Sequence, residues 1–133
     1  HAAPINLEWG YDNRTTGIRV PLSGPSARRV ENRLAGMDCN PYLAIAASLA
    51  CGYLGLMDAK DPQEQFKGDA YDGDGDIPRV LGEALDIFEE ATALHEVLGP
   101  EFARVYAIVK RAEYDEFLQV ISPWEREHLL LNV

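Results

Sequence analysis

The longest apolar run in the chain, PYLAIAASLACGYLGLM from Pro41 to Met57, constrains the fold more than any other segment. Asn40-Pro41 marks a helix start. Asparagine caps the first amides, and proline takes the first helical position, where its missing N–H costs nothing. From Pro41 to Leu54 the residues are apolar nearly all round, and a helix of that kind requires burial on most sides. Its alanines and glycines permit close approach to a sheet. The run is too short and too rich in small residues to read as a membrane span. The expectation is therefore a buried helix over 40–57, with Cys51 inside it as a buried thiol.

The residues before the run read as strands. Ile5 to Trp9 is a short extended candidate, and Thr15 to Val20 is β-branched. Pro21 to Ser26 is a turn, and Ala27 to Leu34 is a returning strand, so a hairpin is expected. Beyond the run the chain is polar and then helical. Residues 58–76 form an acidic, glycine-bearing loop. Pro78 opens a helix with the stripe Leu81, Leu85 and Phe88, which Gly99-Pro100 breaks and restarts. Phe102, Val105, Tyr106, Val109, Phe117 and Ile121 recur at helical spacing, the first four as core. Ser122 to Glu125 is a capping box that opens a last helix, Pro123 to Leu131. The predicted class is α+β, with short antiparallel strands followed by a mostly helical C-terminal half. Its parts are 1–36 (strands with arginine motifs), 40–57 (buried helix), 58–76 (loop) and 77–133 (helices). A chain of 133 residues suffices for one core. Yet a lone hairpin is marginal in water, so the pattern suggests the C-terminal part of something larger.

The chemistry concentrates in the strands. Arg14, Arg19, Arg28, Arg29 and Arg33 face only Glu8, Asp12 and Glu31 over residues 1–36, a basic island in a chain of net charge −10. The overall charge argues against nucleic-acid and membrane partners. The island suits a small anion. Arg29, Glu31 and Arg33 keep a two-residue step, so an extended strand sets them on one face about 6.6 Å apart. Guanidinium forks match phosphate and carboxylate, and Glu31 suits a hard cation such as magnesium. By spacing alone, this pattern most often describes a solvated strand face with ion pairs. Arg28 points to the other face. Arg14 and Arg19, five apart, cannot share a face of a regular strand, so Arg14 lies in the preceding loop or a bulge intervenes.

At NRTTGIRVP, ARRVENR and NPYLAIAASLACGYLGL the sequence resembles the catalytic domain of the glutamine synthetase family. Its closing segment, VISPWEREHLLLNV, resembles the branch of γ-glutamylputrescine synthetases and related γ-glutamyl-amine ligases. The resemblance implies an ATP-dependent ligase of nitrogen metabolism. ATP phosphorylates the γ-carboxylate of glutamate, and ammonia or an amine such as a polyamine displaces the phosphate. Magnesium or manganese is the implied cofactor. Carried over by motif, Arg14 is catalytic, at the transferring phosphate. Arg19 and Arg29 bind the nucleotide phosphates, Arg33 binds the substrate glutamate, and Glu31 is a metal ligand. Asn13 shapes the loop before the strand. Ser26 stands where some relatives place a lysine, which leaves the adenine contact open. The family's other metal ligands and its catalytic histidine and glutamates have no counterpart in this chain. Active sites in the family form between subunits, so a homo-oligomeric parent and an isolated chain inactive by itself are expected. The competing expectation is a non-catalytic nucleotide-binding or subunit-assembly module.

Other features carry less. Asp72, Asp74 and Asp76 with Glu83 mimic a calcium loop, but Ile77 stands where that loop needs glycine, so a mobile acidic loop is expected instead. His95 and His128 show no metal-ligand spacing, Trp9 and Trp124 read as packing residues, and His1 has no motif context. Two cysteines without CxxC spacing, and no visible signal peptide, fit a reducing cytoplasm.

Overall fold

In the computed structural model, which describes residues 3–130, a three-stranded sheet comes first. Its strands are β1 (Trp9–Tyr11), β2 (Ile18–Val20) and β3 (Glu31–Asn32), in that spatial order. The hairpin is present: β2 and β3 are antiparallel, with Ile18 opposite Asn32 and Arg19 opposite Glu31. β2 and β3 are shorter than the expected 15–20 and 27–34, and β1 begins only at Trp9, past most of the expected stretch Ile5 to Trp9. β1 departs from the pattern by pairing parallel to β2, Trp9 opposite Ile18 and Tyr11 opposite Val20. The return loop explains this. Asp12 takes a left-handed φ of 48°, and the Asn13 carboxamide oxygen accepts from the Thr15 amide and hydroxyl. The chain thus loops back beside β1 instead of reversing along it. Thr16, fully buried, directs its hydroxyl at the carbonyls of Asn13 and Ile18 and closes the loop.

The acidic stretch after residue 57 is irregular but anchored, contrary to the expected mobile loop. The Phe66 amide donates to Trp9 O, and Trp9 Nε1 donates to Gln63 O at 2.7 Å. Asn13 Nδ2 reaches Gly68 O, the Ala70 amide reaches Thr15 Oγ1, and Asn6 Nδ2 reaches Ala70 O. Asp76 accepts from the Leu7 amide, a tie across 69 residues, and Asp69 accepts from the Tyr71 amide as a local cap. The Phe66 bond occupies the Trp9 carbonyl on β1, a strand-edge acceptor that would otherwise be open to another chain.

Helix α1 (Pro41–Met57) begins as expected, with Asn40 Oδ1 accepting from the amides of Tyr42 and Leu43. The expected burial is missing. Among its residues only Ala50 is buried, and Cys51 is exposed. A sheet of three short strands covers little of a helix this long. The side chain of Asn32 on β3 ties α1 down through Ser48 Oγ at 2.9 Å. No described helix is long and apolar enough to cross a membrane.

The chain divides into two compact units between Pro78 and Arg79. The second holds α2 (Leu81–Glu90), α3 (Thr92–Leu98), α4 (Pro100–Leu118) and α5 (Pro123–His128). Helix α2 starts at Leu81, after an extended Val80, and not at Pro78. Ala91 interrupts the helical run without glycine or proline. Its amide and the His95 ring both meet the Phe88 carbonyl, His95 Nε2 at 2.7 Å, which fills an acceptor left open by the break. Gly99, at φ 97°, makes the expected second break. The core of this unit is Leu85 with Ala103 and Ala107. The expected core stripe on α4 fares differently. Tyr106 is half-buried against Phe88, while Phe102, Val105 and Val109 stay exposed, because small alanines let the helices approach on the adjacent face. Arg111 on α4 pairs with both Asp86 and Glu89 on α2. The capping box at Ser122 forms with both reciprocal bonds. Leu131, the expected end of the last helix, and His1 lie outside the described residues. Trp124 and His128 stack at 4.8 Å.

Candidate functional site

Arg19 lies at the centre of β2 and Glu31 opens β3 directly across from it. Their side chains therefore leave the same face as a cross-strand pair. Arg19 NH1 donates to Glu31 Oε2 at 2.8 Å, and Arg29 Nε donates to Glu31 Oε1 at 2.9 Å. One carboxylate is thus held between two guanidinium groups, one oxygen to each. The second fork nitrogen of Arg19 donates to Asp12 Oδ1 at 2.8 Å. Arg19 is the inner member, its side chain 16% exposed against 52% for Arg29. Its Nε–H is buried with no hydrogen-bond partner among the described residues.

The charges reinforce one another. The hydrogen bond from Arg19 draws the Glu31 carboxyl below its ordinary range, against the opposing effect of burial, and Arg29 adds to it. The bond to Glu31 in turn raises Arg19. A carboxyl whose folded pKa lies below the ordinary 4.5 stabilises the fold in full above that value. The contribution is lost as pH falls through the depressed value. Melting of the sheet is therefore expected to be flat from about pH 7 to 5 and to fall steeply below about 4.5. Trp9 fluorescence in a Trp124→Phe background measures it. Glu31→Gln should melt lower at neutral pH and show a shallower acid decline; an unchanged acid slope would show that Glu31 contributes nothing to it.

Of the five residues singled out by sequence, the sheet gathers Arg19, Arg29 and Glu31. Arg14 sits in the loop before β2, exposed, as its spacing from Arg19 requires. Arg33 directly follows β3, and its amide bond to Gly17 O continues the register of the pair. The Asn32 carboxamide oxygen accepts from the Leu34 amide, a local turn that ends the strand. Arg33 NH1 bonds the carbonyls of Arg14 and Thr16. Arg33 thereby fastens the loop that carries Arg14. Asp12 was not marked by any periodicity. It reaches Arg19 only because β1 and β2 run parallel.

A single carboxylate with phosphate oxygens is a common magnesium donor set, so Glu31 fits as one ligand. No group of three or more His, Cys, Asp or Glu able to hold a metal occurs among the described residues. Glu31 therefore fits a metal shared with a phosphate ligand, and does not fit a site built from the described residues alone.

The family profile described as "Glutamine synthetase, catalytic domain" matches residues 1–129. A γ-glutamylethanolamide synthetase of Streptomyces coelicolor is 39% identical over 124 residues, covering 92% of this chain and 27% of that protein. The γ-glutamylputrescine synthetase of Escherichia coli is 36% identical over 130 residues, covering 97% and 28%. A solved structure described as "Apo GmaS without ligand" superposes with a TM-score of 0.83 at 32% identity, covering 98% of this chain and 31% of that one. The chain thus spans less than a third of the length of each.

Proposed function

The chain belongs to the glutamine synthetase family, within its catalytic domain, and from that premise we propose that it forms the phosphate-handling wall of an ATP-dependent ligase. The reaction joins glutamate to ammonia or a small primary amine through γ-glutamyl phosphate. The observation that carries this reading is the Arg19–Glu31–Arg29 assembly, two forks flanking one acid on adjacent strands. Phosphoryl transfer calls mainly for positioning and charge neutralisation, and this assembly supplies both.

Arg19, held rigid by Glu31 and Asp12, and Arg29, at the exposed rim, are assigned to the nucleotide phosphates. Arg14 is assigned to the phosphoryl group in transit and Arg33 to a carboxylate of glutamate, both on the motif match. Glu31 would share a magnesium or manganese ion with the phosphates. That ion, when bound, would neutralise charge on the phosphate oxygens. Relatives that make γ-glutamylethanolamide and γ-glutamylputrescine favour an amine as acceptor. The remaining metal ligands would come from protein outside these residues, so the isolated chain should lack turnover. A homo-oligomeric parent is part of the same reading, as is a reducing cytoplasm, which suits two free exposed cysteines.

Titration of Mg-ATP into the chain tests this. Binding in the millimolar range is expected, weakened roughly tenfold by Arg29→Ala through loss of a charge-assisted phosphate contact. The chain should form no γ-glutamyl amide from ATP, glutamate and amine. No binding at millimolar nucleotide, or binding indifferent to Arg29, would favour the assembly-module reading.

A further inference from the structure

Thr15 joins two parts of the first unit through one hydroxyl. Its Oγ1 donates to Asn13 Oδ1 at 2.7 Å and accepts the Ala70 amide at 2.8 Å. Only a group that is donor and acceptor at once can do both. Ala70 is a fixed post: it is fully buried, and its carbonyl accepts from Nδ2 of the buried Asn6. Asn13 carries a parallel tie, its Nδ2 donating to Gly68 O at 2.9 Å. Gly68 presents that carbonyl from a φ of 112°, a conformation that favours glycine.

Arg14, exposed, stands between the two tied residues. Both polar groups of the peptide that joins it to Thr15 are engaged. The Thr15 amide donates to Asn13 Oδ1 at 3.0 Å, and the Arg14 carbonyl accepts from Arg33. The peptide is planar, so these bonds set the plane from which the Arg14 side chain departs. Asn13 Oδ1 is in turn held by the Thr15 hydroxyl, and the hydroxyl by Ala70. The line of restraint thus runs from Asn6 through Ala70 and Thr15 to Asn13 and Arg14. Removing the hydroxyl breaks its middle link and leaves the Ala70 N–H, in a fully buried residue, without its acceptor.

We infer that Thr15 is a positioning residue for Arg14, its hydroxyl holding the arginine loop against residues 68–70 so that the guanidinium is presented to a phosphoryl group. What Arg14 meets rests on the ligase reading; what aims it is the addition. Relaxation of the Arg14 amide by nuclear magnetic resonance in the 133-residue chain tests the hold without nucleotide. The order parameter should be near a rigid value of about 0.85 in the unaltered chain and in Thr15→Ser, and fall towards about 0.6 in Thr15→Val, which loses the hydroxyl. Should Thr15→Val fail to fold, Gly68→Ala takes its place. Its methyl meets nothing within 4 Å, but the positive φ strains the carbonyl that Asn13 bonds, so the same fall is expected. Mg-ATP titration then shows whether Thr15 acts through Arg14. Thr15→Val should weaken binding about fivefold by itself and not at all beside Arg14→Ala. Unchanged order at Arg14, an equal fall in Thr15→Ser, or an affinity effect that persists beside Arg14→Ala overturns the inference. A chain that binds no Mg-ATP yet loses order in Thr15→Val sinks the ligase reading and keeps the hold. Kept order with normal Mg-ATP binding does the reverse.

Discussion

Gly17→Ala is expected to destabilise the strand-bearing unit by roughly 2–4 kcal/mol and to disperse the arginine cluster with it. A Cβ at this position would stand 2.5 Å from the Asn6 carbonyl oxygen and 3.0 Å from Leu34 Cδ2. The first neighbour is backbone, so it cannot rotate away. Asn6 is buried and bonded to Ala70, which pins the obstructing segment from the other side. The Gly17 carbonyl also accepts the Arg33 amide, so any shift passes directly to β3 and to Glu31. Loss of stability and loss of Mg-ATP binding should therefore appear together. Gly24→Ala is the control. Nothing lies within 4 Å of its added methyl, and its φ of −64° suits alanine, so a change within about 0.5 kcal/mol is expected. Urea unfolding followed by Trp9 fluorescence compares the two. Equal midpoints would mean the Gly17 backbone relaxes freely.

In the helical unit, Ala103→Leu should destabilise by roughly 2–3 kcal/mol. Ala103 is 0% exposed on α4, the helix that packs against both α2 and α3. Leucine adds three carbons where the close approach depends on a methyl, so the helices must separate or the side chain must leave its rotamer. Val105→Leu, nearby on the exposed face, should stay within about 0.5 kcal/mol. Circular dichroism in urea distinguishes them, and similar midpoints would show that the contact is loosely packed.

Much of the local structure was legible in the residues. Asn40-Pro41 gave the start of α1, Gly99-Pro100 the second break, and Ser122 with Glu125 the final cap. Each depends on groups within one turn of each other. The break at Ala91 was not legible, because it carries neither glycine nor proline and rests on a histidine ring bonding the Phe88 carbonyl. The site divides the same way. The two-residue step brought Arg29 to Glu31, and the hairpin brought Arg19 across from it. Arg33 is not among the groups on Glu31, because its guanidinium bonds the carbonyls of Arg14 and Thr16. Asp12 was invisible because its contact with Arg19 arises from a parallel pairing that no motif announces.

Residue order alone specified the starts of α1 and α5, the break at Gly99, the hairpin turn and the family motifs, since these arise from energies acting across a few neighbouring residues. Three-dimensional packing decided which arginine shares the carboxylate and which one fastens a loop. Those outcomes depend on strand register and on contacts such as Asn6 to Ala70 and Leu7 to Asp76, 64 and 69 residues apart. A shift of one residue in register turns a side chain to the opposite face, and nothing local records which register prevails.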